Sequence, residues 1–115
     1  MAGLWSDTDV KAQKRLGLSP NEAGTAEIKA RIRRLTRSGP DTPVIDVIAR
    51  VHEALGRAPS RLVTATLDDA MAVEERPNMP ATTDEWPNWR FALPRPIESL
   101  ARSPLAQRIA KALRR

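Results

Sequence analysis

Apolar residues recur at helical spacing through most of the chain. Positions three, four and seven residues apart lie on one face of a helix, so this pattern predicts amphipathic helices. The predicted helices cover residues 6–17, 26–37, 41–56 and 99–115. Ser19 is a plausible cap ahead of the second helix, and Gly24 interrupts the pattern before it starts. The third is the best defined, with Asp41 or Thr42 as its cap and Gly56 at its end. Residues 6–56 are therefore predicted to be one helical segment.

One short run departs from the helical pattern. Residues 62–67 (LVTATL) are rich in β-branched side chains, nearly continuous in apolarity and bounded by turn residues. This composition predicts a strand over residues 61–67 that is buried on both faces, as in parallel sheets. The chain offers no second strong strand to pair with it, and each buried unpaired amide costs roughly 1–3 kcal/mol. The strand's hydrogen-bonding neighbours are therefore expected to lie outside this chain.

Residues 68–94 are predicted to be a long irregular loop. Its central part, residues 76–90 (RPNMPATTDEWPNWR), holds three prolines, two asparagines and two tryptophans. Proline removes backbone donors and biases the preceding residue towards extended geometry, so neither a helix nor a strand can run through it. Ordered loops with aromatic and amide side chains commonly carry function on a rigid scaffold. This loop is therefore the first place to look for a site.

The loop also resembles a known family. The runs PNMPAT at residues 77–82, EWPNWR at 85–90 and LP at 93–94 resemble the C-terminal signature of the 4-alpha-glucanotransferases (amylomaltases, glycoside hydrolase family 77). The opening AGLWS is similar to the stretch after that family's seventh barrel strand. The resemblance spans nearly the whole chain and is most specific over the loop. Ala81 departs from it, because the family is expected to have a glycine there, which would permit positive φ.

The resemblance implies both a fold and a reaction. Family members are decorated (β/α)8 barrels whose chemistry lies on loops after the strands. Residues 1–115 would then be the C-terminal fragment of such a barrel: mostly α with one short strand, namely strand eight at 61–67, its Pro/Trp loop at 68–94 and a closing helix at 99–115. The family transfers α-1,4-glucan segments between maltodextrins with retention, which needs two carboxyl groups about 5–5.5 Å apart.

In the family, the catalytic acids precede the part that this chain resembles. We therefore expect no catalytic residue here, and a chain that is inactive alone. A separately encoded N-terminal barrel piece is a possible partner that would restore activity, and α-1,4-glucan would be bound through the parent enzyme.

The resemblance also assigns roles within the loop. Asn78 is the expected substrate-binding residue, since its amide can donate to and accept from glucan hydroxyls. Alternatively, its side chain closes the turn between Pro77 and Pro80. Four residues are expected to structure the loop, and the last three of them could also stack on sugar rings: Pro80, Trp86, Trp89 and Arg90. Arg90 is expected to pair with an acidic residue such as Glu85.

Other candidate chemistry is sparse. With no cysteine and a single histidine, His52, no zinc site can be drawn, and neither a metal nor a cofactor is expected. The carboxylates around the loop are interpreted as capping or solvated groups: Asp68, Asp69, Glu74, Glu75, Asp84 and Glu85. The absence of cysteine, of an apolar run of about 18 residues and of a secretory signal predicts a cytoplasmic protein without a membrane span.

The net charge of +5 supports an alternative. Basic residues concentrate in 27–37 and 95–115, so the chain could be a small basic helical protein that binds a partner protein or nucleic acid through these helices. Solvated outer helix faces explain the same charge, which makes nucleic acid the less favoured partner.

Overall fold

The computed structural model describes residues 1–114, and these are mostly helical. Residue 115, the last of the predicted closing helix, lies outside the described residues. The helices are α1 (Ala2–Trp5), α2 (Thr8–Arg15), α3 (Glu22–Thr36), α4 (Val44–Gly56), α5 (Leu67–Ala70), a 3₁₀ helix (Ile97–Arg102) and α6 (Pro104–Leu113).

The core lies where α4 packs against α6. Ile48 of α4 is fully buried, and Leu105 and Ile109 of α6 are buried against it. Ser103 begins α6 as its N-cap, accepting a hydrogen bond from the Ala106 amide, and Pro104 occupies the first turn, where its missing N–H costs nothing. Ala2 of α1 and Ala70 of α5 complete the core.

Two predicted helix starts are wrong. α3 begins at Glu22 and runs through Gly24, because the side chain of Asn21, and not that of Ser19, accepts the Gly24 amide at 2.8 Å. α4 follows Pro43 and has no side-chain cap, since the Thr42 hydroxyl accepts the Gly39 amide instead. At α3 a neighbouring polar residue takes the capping role, whereas at α4 the predicted capping hydroxyl is engaged elsewhere.

The predicted strand is not formed, and residues 1–114 contain no strand. Residues 61–66 are irregular and mostly exposed, with Leu62 81% exposed, and α5 begins at Leu67 within the predicted strand. Thr66 caps α5 by accepting the Asp69 amide at 3.1 Å. The physical reason is that a strand exists only through pairing, and no described residue pairs with this segment. The assignment as a slice of a (β/α)8 barrel therefore stays a proposal.

The described chain is less compact than its length leads one to expect. Its radius of gyration is 15.0 Å, whereas a domain of this size has about 13 Å. Several large apolar side chains are also exposed: Ile28, Leu35, Ile45, Leu55, Leu62, Leu67, Trp89, Phe91 and Ile97. Within residues 1–114 no helix is both long and apolar enough to span a membrane. The described core is therefore small, and the exposed apolar side chains lie outside it.

Candidate functional site

The side chain of Asn88 holds the Pro/Trp loop together. Its Oδ1 accepts the Met79 amide at 2.7 Å, and its Nδ2 donates to the carbonyl and the hydroxyl oxygens of Thr82 at 3.3 and 3.0 Å. Nδ2 also lies 3.4 Å from the Thr83 carbonyl oxygen. One amide thus replaces the backbone pairing that the prolines remove, and it gives the loop a fixed shape without secondary structure.

Met79 and Trp86 form the inner side of the loop. Met79 is only 1% exposed, so it anchors the loop to the protein. The indole of Trp86 is half-buried, donates from Nε1 to the Arg76 carbonyl at 3.0 Å and packs against the Phe91 ring, with centroids 5.5 Å apart. A buried indole N–H needs such an acceptor. The Trp86 side chain thus links Arg76 and Phe91, two residues on either side of it in the loop.

Two residues in the central part of the loop, residues 76–90, have a left-handed backbone that side chains disfavour. Ala81 has φ 66° and Trp89 has φ 60°. Such a conformation costs an L-residue roughly 1–2 kcal/mol. Ala81 stands where the resembled family is expected to have glycine, and its positive φ shows why glycine suits that position. Trp89 is held in this conformation by its amide, which donates to the Pro77 carbonyl at 2.6 Å.

The remaining predicted site residues lie on the outer side of the loop. The side chain of Asn78 is half-buried and forms no hydrogen bond within residues 1–114. Pro80 and Trp89 are exposed, the latter by 75%. The guanidinium of Arg90 lies 3.9 Å from the carboxylate of Asp84, so its acidic neighbour is Asp84 and not Glu85, the residue given as an example.

Glu85 is engaged within the loop instead. Its Oε2 accepts the Thr83 amide at 2.8 Å and lies 3.3 Å from the Thr83 hydroxyl. These hydrogen bonds hold the pKa of Glu85 below its usual value, and the one from the Thr83 amide has the largest effect. The interpretation of Glu85 as a local capping group fits this geometry.

A small cleft beside the loop is lined by acidic groups. Asp9, from α2, lies 3.9 Å from the guanidinium of Arg76, and its Oδ1 has no hydrogen-bond partner within the described chain. Burial raises the pKa of Asp9, and the nearby positive charges of Arg76 and the amino terminus oppose the shift. Glu74, which also lines the cleft, accepts the Thr8 hydroxyl at 2.6 Å. Gly3 allows the close approach of α1, because a Cβ there would overlap the Glu74 carbonyl.

His52 is a packing residue on α4. It is 2% exposed, its Nδ1 lies 2.8 Å from the Ile48 carbonyl oxygen, and its Nε2 lies 3.8 Å from Asp69. Asp69 in turn binds the amino-terminal ammonium at 3.0 Å. Within the part of the chain that the structure describes, no three His, Asp or Glu side chains gather in a way that could hold a metal ion.

Sequence reasoning missed two residues that shape the site. Asn88 was part of the recognised motif, yet its role as the loop's organising amide depends on distances to Met79 and Thr82 that no spacing rule supplies. Asp9 belongs to a predicted helix, and the only signal for its unusual environment is its contact with a residue more than sixty positions away. Both roles arise from tertiary structure.

The geometry described so far is that of a helical scaffold carrying a rigid loop with an exposed indole and a free amide. A family model described as 4-alpha-glucanotransferase matches residues 3–98, which include all of the helical segment and the loop. The chain belongs to the 4-alpha-glucanotransferase family.

Curated relatives agree with this assignment. The 4-alpha-glucanotransferases of Mycobacterium bovis (strain ATCC BAA-935 / AF2122/97) and Mycobacterium tuberculosis (strain ATCC 25618 / H37Rv) are both 32% identical to the chain in alignments that are 130 residues long, gaps included. The alignments cover 98% of this chain but only 18% of the length of each relative. No solved structure gives a significant match.

Proposed function

We propose that this chain supplies the C-terminal slice of a 4-alpha-glucanotransferase barrel and lends its Pro/Trp loop to the transfer of α-1,4-glucan segments between maltodextrins. The observation that carries this proposal is the family match across residues 3–98 together with the loop at 76–90, whose fixed shape leaves the Asn78 amide without an internal partner. The chain spans about a fifth of its relatives' length.

Residues 61–67 are proposed to become a barrel strand when that remainder is present. The segment between Leu62 and Ala65 forms no hydrogen bond within residues 1–114, and Leu62 is 81% exposed. Four consecutive residues with open backbone donors and acceptors can pair with a neighbouring strand without breaking any existing bond. Pairing would bury the β-branched side chains on which the strand prediction for this segment is based.

The chain by itself is proposed not to catalyse transfer. Retaining transfer needs a carboxylate nucleophile and a second carboxylic acid that exchanges a proton with the leaving oxygen. The carboxyl groups with the best-defined positions here serve other contacts: Asp69 binds the amino terminus, Glu74 accepts from Thr8, and Asp9 lies beside Arg76. These carboxyl groups therefore do not provide the nucleophile and the acid–base that retaining transfer needs.

Asn78 is proposed to bind a glucan hydroxyl. Its neighbours Pro77 and Met79 are fixed by the Trp89 amide and by Asn88, so the backbone at position 78 is held on both sides. Because the backbone is already held, binding has to order only the side chain of Asn78, which limits the entropy lost. Its amide offers both a donor and an acceptor, which matches the two roles of a sugar hydroxyl.

The test is complementation. The portion of the Mycobacterium tuberculosis relative that precedes the region aligned with this chain is mixed with this chain, and disproportionation of maltotriose is measured. The relative's own C-terminal region serves as the positive control. We expect activity in the mixture and none with either piece alone. Turnover by this chain alone, or complementation by the control region but not by this chain, would refute the proposal.

A substitution in the pairing segment sharpens the test. Thr64→Pro removes one backbone donor at an exposed position, so it should abolish complementation if residues 61–67 become a strand. Thr64→Ser keeps the donor and is the matched control, expected to retain activity. Equal activity of the two variants would exclude strand pairing.

The alternative of a basic nucleic-acid-binding protein gains no specific support. Several cations of α3 are engaged within the chain: Lys29 lies 2.8 Å from Asp7, and the Arg33 guanidinium lies over the Trp5 ring at 5.4 Å from its centroid. Engaged cations are less available to phosphates, and we propose no second function.

A further inference from the structure

The two tryptophans of the loop have opposite environments. Trp86 faces inward, with its indole N–H bonded to the Arg76 carbonyl and its ring packed on Phe91. Trp89, three residues later, is 75% exposed. The same hydrogen bonds of the loop hold both residues, so the difference in their exposure follows from the conformation of the loop.

The exposure of Trp89 is maintained against two unfavourable effects. Its backbone has φ 60°, a conformation that is a genuine outlier for a bulky residue, and its large apolar ring remains in water. The Trp89 amide bond to Pro77 and the Asn88 contacts to Met79 and Thr82 hold this arrangement. Strain that the surroundings enforce clusters at ligand-binding positions, so the outlier points to a function for the presented ring.

The residue that follows Trp89 is charged and exposed. Arg90, the next residue, is 68% exposed, and its guanidinium lies 3.9 Å from the carboxylate of Asp84, which is fully exposed, so an exposed charged pair follows Trp89 directly in the chain. Ligand sites combine aromatic side chains with a small number of polar groups that fix the ligand's orientation. A pyranose ring fits such a site, since it offers an apolar C–H face to the indole and hydroxyl groups to charged side chains.

We propose that the Trp89 indole is a platform on which a glucose unit of an α-1,4-glucan stacks, with Arg90 and Asp84 bonding to its hydroxyls. The choice of an α-glucan rests on the proposed function, whereas the platform itself rests on the geometry of the loop. The site is distinct from Asn78 and takes no part in bond cleavage.

The test uses the full chain and maltoheptaose. The chain has three tryptophans, so it gives three indole N–H signals in a proton–nitrogen NMR spectrum. We expect the Trp89 signal to move on titration, while that of Trp5 stays in place. Trp89→Ala should weaken binding at least tenfold, and Trp89→Phe should retain part of it. Trp5→Phe is the matched control and should bind like the wild type.

Three results would overturn the inference. The first is a Trp89 signal that stays still up to the solubility limit of maltoheptaose. The second is an equal response to a β-1,4-linked glucan, which would show a non-specific sugar effect. The third is a Trp89 signal that moves only when the N-terminal glucanotransferase portion is added, since the ring would then be covered by protein.

The titration is independent of complementation. Loss of glucan binding with intact complementation would refute the platform and leave the proposed function standing. Glucan binding at Trp89 without complementation would support the platform and refute the proposed function.

Discussion

Gly56, the last residue of α4, lies directly against the backbone of Ala112 in α6. A Cβ at position 56 would overlap the Ala112 carbonyl oxygen. The core depends on the packing of these two helices, because Ile48 and Ile109 meet between them. The closeness of α4 and α6 thus requires a residue without a side chain at this point.

Gly56→Ala should therefore destabilise the protein by about 1–3 kcal/mol, the usual cost of overpacking. Helix propensity alone would predict the opposite result, because alanine is a better helix former than glycine by about 1 kcal/mol. Urea unfolding followed by circular dichroism measures the change. Gly39→Ala is the matched control: the nearest atom to an added Cβ is 3.9 Å away, so its effect should stay within about 0.5 kcal/mol. Equal stability of the two variants would contradict the close approach.

Ala81→Gly should instead stabilise the protein. Ala81 has φ 66°, which costs alanine roughly 1–2 kcal/mol, and glycine avoids this while losing about 0.5–1 kcal/mol in backbone entropy. We expect a net gain of about 0.5 kcal/mol in unfolding free energy. The matched control is Gly17→Ala, because Gly17 has φ 73° with open space around it and should lose stability. An Ala81→Gly variant less stable than wild type would show that the left-handed turn is not maintained in solution.

The sequence predicted the loop and the helical scaffold, but not the features that depend on distant partners. The PNMPAT and EWPNWR runs located residues 76–90 correctly, since proline excludes regular structure by local geometry alone. The strand at 61–67 was predicted from composition, yet strands form only by pairing, and no described residue pairs there. Likewise, the motif could not show that Asn88 is the organising amide or that Trp89 points outward, because both follow from backbone conformation and contacts across the loop.

Asn88→Ala should loosen the loop. It leaves the Met79 amide without its acceptor, and an unsatisfied buried donor costs roughly 1–3 kcal/mol. Faster hydrogen exchange of the Met79 amide is the expected readout. Asn88→Asp keeps the acceptor oxygen and loses only the donors to Thr82 and Thr83, so exchange should fall between that of alanine and wild type. Unchanged exchange in both variants would show that Asn88 does not hold the loop.

Asn78→Ala should separate binding from stability. Because the Asn78 side chain has no hydrogen bond within residues 1–114, its loss should change unfolding free energy by less than about 0.5 kcal/mol. In the complemented enzyme, the same variant should lower kcat/KM for maltotriose roughly tenfold, the effect of one lost hydrogen bond to substrate. Asn88→Ala should lower both the unfolding free energy and kcat/KM. An Asn78→Ala variant with full activity would remove this residue from the substrate site.

Asp9 should give the protein a component of stability that decreases with rising pH. Burial raises the pKa of Asp9 above its unfolded value of 3.8, so the folded state holds the proton more tightly. The destabilising effect is then fully present at neutral pH and is relieved as the pH falls through the folded pKa. Asp9→Asn removes the ionisation while keeping the shape. The difference in unfolding free energy between wild type and Asp9→Asn, measured by urea unfolding from neutral pH to about 4, should move in favour of wild type as the pH falls. A difference that is constant with pH would mean that Asp9 is solvated like an exposed carboxylate.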